Sequence, residues 1–204
     1  MKTPPAELAE RLWAVADGAL QRGGEIRIDD LAELTGVPRA TLYYYFSGKD
    51  DILAFLLAQQ LQRGTETIAA AVHSPGGAAE RLDAVLRAML RTMAQHPALC
   101  TRLIAVVAND VGGAQLMADV ERTLMAPVHD LLVEAQDSGE LVVRDPTDTT
   151  LSLIGAVAII AMIRTATKTF DPDQVAAGLI PQFLDGLRPR DRADAHDSAP
   201  QSQP

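Results

Sequence analysis

Gly36-Val37-Pro38 splits two short apolar-periodic stretches, and this spacing constrains the chain more than any other feature. On one side lies a helix expected over 28–35, with Leu31, Ala32 and Leu34 turned inward. On the other lies one expected over 39–46. Pro38 stands where it can open the second helix, and Ala32 is small enough for the two to cross closely. Val37, Leu42 and Phe46 can fill the space between them and a preceding helix. Two short helices joined by a three- to four-residue turn containing glycine form a helix-turn-helix.

The preceding helix is expected from about Pro5 to Arg22, with Leu8, Leu12, Val15, Ala16, Ala19 and Leu20 on one stripe. Gly23-Gly24 ends it. Ser47-Gly48 closes the third helix. A long fourth begins near Lys49 with Asp50 and Asp51 in its first turn. Further helices are expected over about 78–95, 98–110, 114–138, 147–169 and 172–187, punctuated by His96-Pro97, Gly112-Gly113, Asp145-Pro146 and Asp171-Pro172. The fold class is therefore all-α, with nine helices: a three-helix head over 5–49, a helical body over 50–187, and a disordered polar tail over 188–204.

The three tyrosines of the chain are consecutive: Tyr43, Tyr44 and Tyr45. Adjacent helix positions point about 100° apart, so a short helix cannot bury all three. At least one ring must face solvent or a partner. Phenol hydroxyls donate to phosphate oxygens, and the rings can meet thymine methyls or sugars.

Thr41-Leu42-Tyr43-Tyr44-Tyr45-Phe46, followed by Ser47-Gly48-Lys49, resembles the recognition helix of the tetracycline-repressor (TetR) family, which ends in a Tyr-x-x-Phe-type run and a lysine. The resemblance covers about a quarter of the chain. It implies that the third helix enters the major groove of a palindromic operator, with Arg39, Ala40, Thr41 and Tyr44 nearest the bases. It places Tyr43, Tyr45 and Lys49 on phosphates. Where the family has a Thr or Ser opening the second helix, this chain has Arg27, which can reach a phosphate but cannot cap as a hydroxyl does. Asp29 is the alternative cap. The resemblance further implies a one-component regulator, usually a repressor, whose body binds a small-molecule effector and dimerises through its last two helices.

Charge alone would not have suggested DNA. The net charge is −9. Residues 1–49 net only −1, and 36–49 hold Arg39 and Lys49 with no acid. The acid sits in the body, where it discourages non-specific contact. A helical ligand-binding or adaptor protein whose head no longer binds DNA is the alternative reading.

In the body, Leu151, Leu153, Ile154, Val157, Ile159 and Met162 cover more than one helix face, and 172–187 adds a second apolar stripe. A four-helix bundle across a two-fold axis buries both, so a homodimer through about 147–169 and 172–187 is expected. The run Leu151–Ile163 is too short for a membrane span and is broken by Ser152 and Gly155. Pro127 predicts a kink in the helix over 114–138. Met89, Met93, Met125 and Met162, with Arg102, Asn109 and His129, are the candidate ligand contacts, and Arg164 is a further polar one. Few charges converge there, so the effector is expected to be mostly apolar.

The lone Cys100 excludes a disulfide framework. It fits a reducing cytoplasm and reads as a buried inert thiol rather than a redox sensor. The residues three before the four histidines are Ala70, Met93, Ala126 and Ala193, so no Glu-x-x-His pair exists. There is no His-Glu-x-x-His, no phosphate loop and no Gly-x-Ser-x-Gly elbow. No enzyme activity, metal or cofactor is expected.

Overall fold

The computed structural model describes residues 2–23, 26–108 and 113–189. The polar tail beyond Pro189 and Asn109 lie outside them. Among the described residues the elements are all helical. They are α1 (Ala6–Gly23), α2 (Ile28–Thr35), α3 (Arg39–Tyr45), α4 (Lys49–Val72), α5 (Ala78–Gln95) and α6 (Pro97–Ala108), followed by α7. The last runs through Gly113–Val120, Glu121–Met125 and Ala126–Asp137; α8 (Pro146–Ala166) and α9 (Pro172–Leu187) complete the chain.

Two apolar cores form. The first joins α1 to α4: Leu12, Leu31, Leu42, Phe46, Ile52 and Leu56 are fully buried, and Leu99 of α6 packs with them. The second fills the body with Leu82, Leu86, Leu90, Val128, Leu132 and Leu153. Helix α4 belongs to both, contributing Leu56 to the first and Ile68 to the second.

Local chemistry explains the boundaries. Gly36 ends α2 at φ 67°, where a Cβ is disfavoured. Thr35 steadies the turn by donating to the Leu31 carbonyl (2.6 Å) and accepting from the Val37 N–H (3.3 Å). Neither Arg27 nor Asp29 caps α2; Arg27 is the extended N-cap residue with no side-chain cap bond. Asp145 and Asp171 cap α8 and α9, each ahead of a proline at the first helical position. Asp145 Oδ1 accepts from Asp148 N (2.9 Å), and Asp171 Oδ1 from Asp173 N and Gln174 N (3.0 Å each).

The irregularity expected at Pro127 takes the form of a π-turn over Glu121–Met125, in which the Ala126 N–H donates to the Glu121 carbonyl. A wider turn ahead of the proline lets the helix continue where Pro127 supplies no N–H.

Two helix starts are capped by distant carboxylates. Glu140 accepts from Ala78 N (3.1 Å) and Ala79 N (3.0 Å) at the start of α5. Asp17 of α1 accepts from Ala98 N (3.2 Å) and Leu99 N (3.1 Å) at the start of α6. The second cap ties the head to the body. Around it the His96 ring lies against Trp13 at 4.1 Å between centroids, and the Arg63 guanidinium sits over the other ring system of the pair, 4.8 Å from the Trp13 centroid. Arg63 also pairs with Glu10.

Candidate nucleic-acid interface and ligand cavity

Helix α3 has two faces. Leu42 is fully buried and Phe46, just after its end, anchors against Phe55 at 5.5 Å between ring centroids. On the other face Arg39, Ala40, Tyr43 and Tyr44 are exposed, Tyr43 at 56% and Tyr44 at 60%. Their i, i+4 spacing brings Arg39 beside Tyr43 and Ala40 beside Tyr44. Two large aromatic side chains are thus held in water on a seven-residue helix, opposite its buried Leu42.

The remaining head candidates sit around this face. Thr41 and Tyr45 are half-buried, and Tyr45 meets Tyr44 edge-on at 4.9 Å. Lys2 lies 3.7 Å from the Tyr44 ring centroid, a cation–π contact that adds positive charge to the face. Arg27 is exposed before α2, and Lys49 is exposed at the first position of α4. Arg39 is held by Asp29, Nε to Oδ1 at 3.0 Å. Asp51 stabilises the α3–α4 turn by accepting from Ser47 N at 2.9 Å, and that backbone bond holds its carboxyl below the ordinary aspartate range.

The body contains an apolar cavity of about 250 Å³ between α4, α5, α6, α7 and α8. Met89, Met93 and Met125 converge on it, together with Cys100, Ile104 and Gln60. Burial pushes the Cys100 thiol up to about 12, which keeps it protonated and unreactive. Three other candidates lie off this cavity. Arg102 is exposed on a wider groove of about 810 Å³ between α4, α6 and α7, which shares Leu61, Thr65 and Thr123 with the cavity wall. His129, half-buried beside Asp130, and half-buried Met162 are not among the lining residues. Gln60 and Thr123 were not legible as cavity residues, because a single polar position within an amphipathic helix carries no periodic signal.

Residues 21–55 match the family model for bacterial regulatory proteins of the tetR family. The match covers α2, α3 and the adjoining ends of α1 and α4, so the head of this chain is similar to the heads of that family. Among curated proteins none matches its sequence. Solved structures share its fold along nearly the whole length. A tetR-family regulatory protein from Rhodococcus RHA1 is 16% identical, covering 92% of this chain and 100% of its own, with a TM-score of 0.76. The fatty acid degradation regulator FadR from Bacillus halodurans is 18% identical, covering 93% and 100%, at 0.74. The ketosteroid transcriptional regulator KstR2 of Mycobacterium tuberculosis is 16% identical, covering 90% and 94%, at 0.67.

Proposed function

We propose that this protein is a ligand-responsive repressor that binds a palindromic operator as a homodimer in the cytoplasm and releases it when a mostly apolar molecule occupies the body. The observation that carries the reading is the exposure of Tyr43 and Tyr44 beside Arg39 on a helix whose other face is fully buried. The head is 5–49, the body 50–187. Arg39, Ala40, Thr41 and Tyr44 face bases, while Arg27, Tyr43, Tyr45 and Lys49 hold phosphates and fix the register.

The dimer face is the second apolar side of α8. Leu153, Ile154 and Val157 pack into the body core, whereas Leu151, Ile159 and Ile163 are exposed. By length and composition α8 could cross a membrane, but its inner face is committed to the core, and a second copy covers the outer face without one.

Release follows from α4. The helix carries Lys49 at one end and Gln60, Gly64 and Ile68 on the cavity wall. Eleven residues of helix separate Lys49 from Gln60, about 16 Å at 1.5 Å per residue. A ligand that wedges α4 therefore moves the head, and two heads must stay about 34–36 Å apart to meet successive major grooves. The ligand must bind the DNA-incompetent state more tightly to drive release. The names of the FadR and KstR2 neighbours refer to fatty acids and ketosteroids, both largely apolar, in keeping with the apolar cavity.

A gel shift against the region upstream of the protein's own gene, across a salt series, tests the reading. Specific binding that weakens steeply with salt is expected. Salt-insensitive or absent binding to a randomised operator library would favour the adaptor reading instead.

A further inference from the structure

The apolar cavity has one almost fully buried polar side chain whose bonding capacity is incomplete. Gln60 is 4% exposed, faces the cavity as part of its wall, and donates from Nε2 to Cys100 Sγ at 3.1 Å. Its Oε1 is buried with no hydrogen-bond partner. A buried carbonyl oxygen without a donor is costly, and natural interiors rarely keep one without a reason. Two of the three wall hydroxyls are already engaged: Thr123 Oγ1 donates to the Asp119 carbonyl (2.7 Å) and Thr65 Oγ1 to the Leu61 carbonyl (2.7 Å), and the third, Thr92, is only half-buried. No Asp, Glu, Lys, Arg or His is among the residues lining this cavity.

We propose that Gln60 is the specificity-determining residue of the cavity, selecting an uncharged, mostly apolar molecule that presents a single hydrogen-bond donor, such as an alcohol, to Oε1. With Nε2 on Cys100 Sγ, Oε1 is the end of the amide without a partner. The inference rests on the cavity being the effector site and adds the chemical class of its occupant. An anion is excluded twice over: Oε1 repels it, and no cation on the wall offsets its desolvation. A molecule lacking the donor fits the same apolar walls but leaves the carbonyl oxygen unmatched. The site sits on α4, so the hydrogen bond forms on the helix that reaches the head.

Calorimetric titration of the full-length protein with three probes of similar size tests this: 1-octanol, heptyl methyl ether and octanoate. Octanol and the ether have the same number of heavy atoms, and only octanol has a donor. Octanol is expected to bind about tenfold tighter than the ether, and octanoate more weakly than either. Gln60→Leu should keep ether binding and erase the octanol preference. Equal binding of octanol and ether to the natural chain would overturn the role of Gln60 while leaving the cavity as a binding site. Octanoate binding tightest would overturn the neutral class. Binding of none of the three would overturn the cavity as an effector site and the selectivity with it. The comparison on the natural chain decides the matter even if the variant fails to fold.

Discussion

The Arg39 guanidinium lies 3.0 Å from the Asp29 carboxylate, linking the exposed face of α3 to the first turn of α2. Both side chains are largely exposed, so the pair contributes less than about 1 kcal/mol to stability. Its consequence is electrostatic: the one basic side chain on the exposed α3 face is half-neutralised until a stronger anion arrives. Asp29→Asn is expected to raise affinity for non-specific DNA about fivefold at low salt, the effect of removing one nearby unit charge in water. Arg39→Ala is expected to weaken operator binding by about 1–3 kcal/mol and to relax base preference at one position. Fluorescence anisotropy with operator and scrambled duplexes reads both. Unchanged binding in both variants at every salt would remove Arg39 from the interface.

Phe46 and Tyr44 separate stability from recognition. Phe46 is fully buried against Phe55, and Phe46→Ala should cost about 3–5 kcal/mol. Tyr44 is mostly exposed, so Tyr44→Ala should stay within about 0.5 kcal/mol of the natural chain while operator binding falls. Thermal melts followed by circular dichroism, set beside anisotropy, distinguish the two. A large loss of stability in Tyr44→Ala would mean that the ring braces the head rather than reading DNA.

The elements legible in sequence were those with local punctuation. The helices expected over 78–95 and 172–187 have the observed bounds, and 114–138 differs by a residue at each end from 113–137. Glycine and proline act on their own φ and ψ, so their message survives without tertiary context. The helix expected over 147–169 stops at Ala166, where Lys168 takes a positive φ that no glycine or proline announces. Non-local features were not legible. Asp17 caps a helix start 81 residues away, and Glu140 one 62 residues back. The cavity is a sum over five helices: Met89, Met93 and Met125 line it, while Met162, Arg102 and His129 fall elsewhere, because no single-helix pattern says which side chains converge.

Asp17 is expected to carry the coupling between head and body. Asp17→Ala leaves the Ala98 and Leu99 N–H groups at the start of α6 unpaired, which should cost about 1 kcal/mol. Because α6 also lines the cavity, the same variant should bind ligand and operator separately yet release operator less fully when ligand is added. Anisotropy with saturating ligand measures the residual binding. Full release would show that the signal passes through α4 without the α1–α6 contact.

His96 adds a pH dependence at this junction. Burial lowers its pKa below the usual 6.5; nearby Asp17 opposes the shift and Arg63 reinforces it. The folded state therefore binds a proton less readily than the unfolded one. Stability is fully present above about pH 6.5 and falls as pH drops towards the lowered folded value. Urea unfolding at pH 7.5 and 5.5 should show the loss, and His96→Gln should flatten it over that window. Asp51 and Glu140, both lowered by backbone N–H donors, lose their contribution only at more acidic pH, so they do not mask it.

The outer face of α8 makes the sharpest test of assembly. Ile159 is exposed, and an aspartate there would be solvated in a monomer but desolvated without a partner at a two-fold interface. Ile159→Asp is expected to leave a folded monomer by sedimentation, with normal helicity and little operator affinity, since one head alone cannot span two half-sites. Leu153, six residues back on the core side, provides the contrast: it is buried, and Leu153→Asp should unfold the body outright. A dimer that survives Ile159→Asp would move the interface off this face of α8. The exposed Leu151 and Ile163 would then need another covering partner.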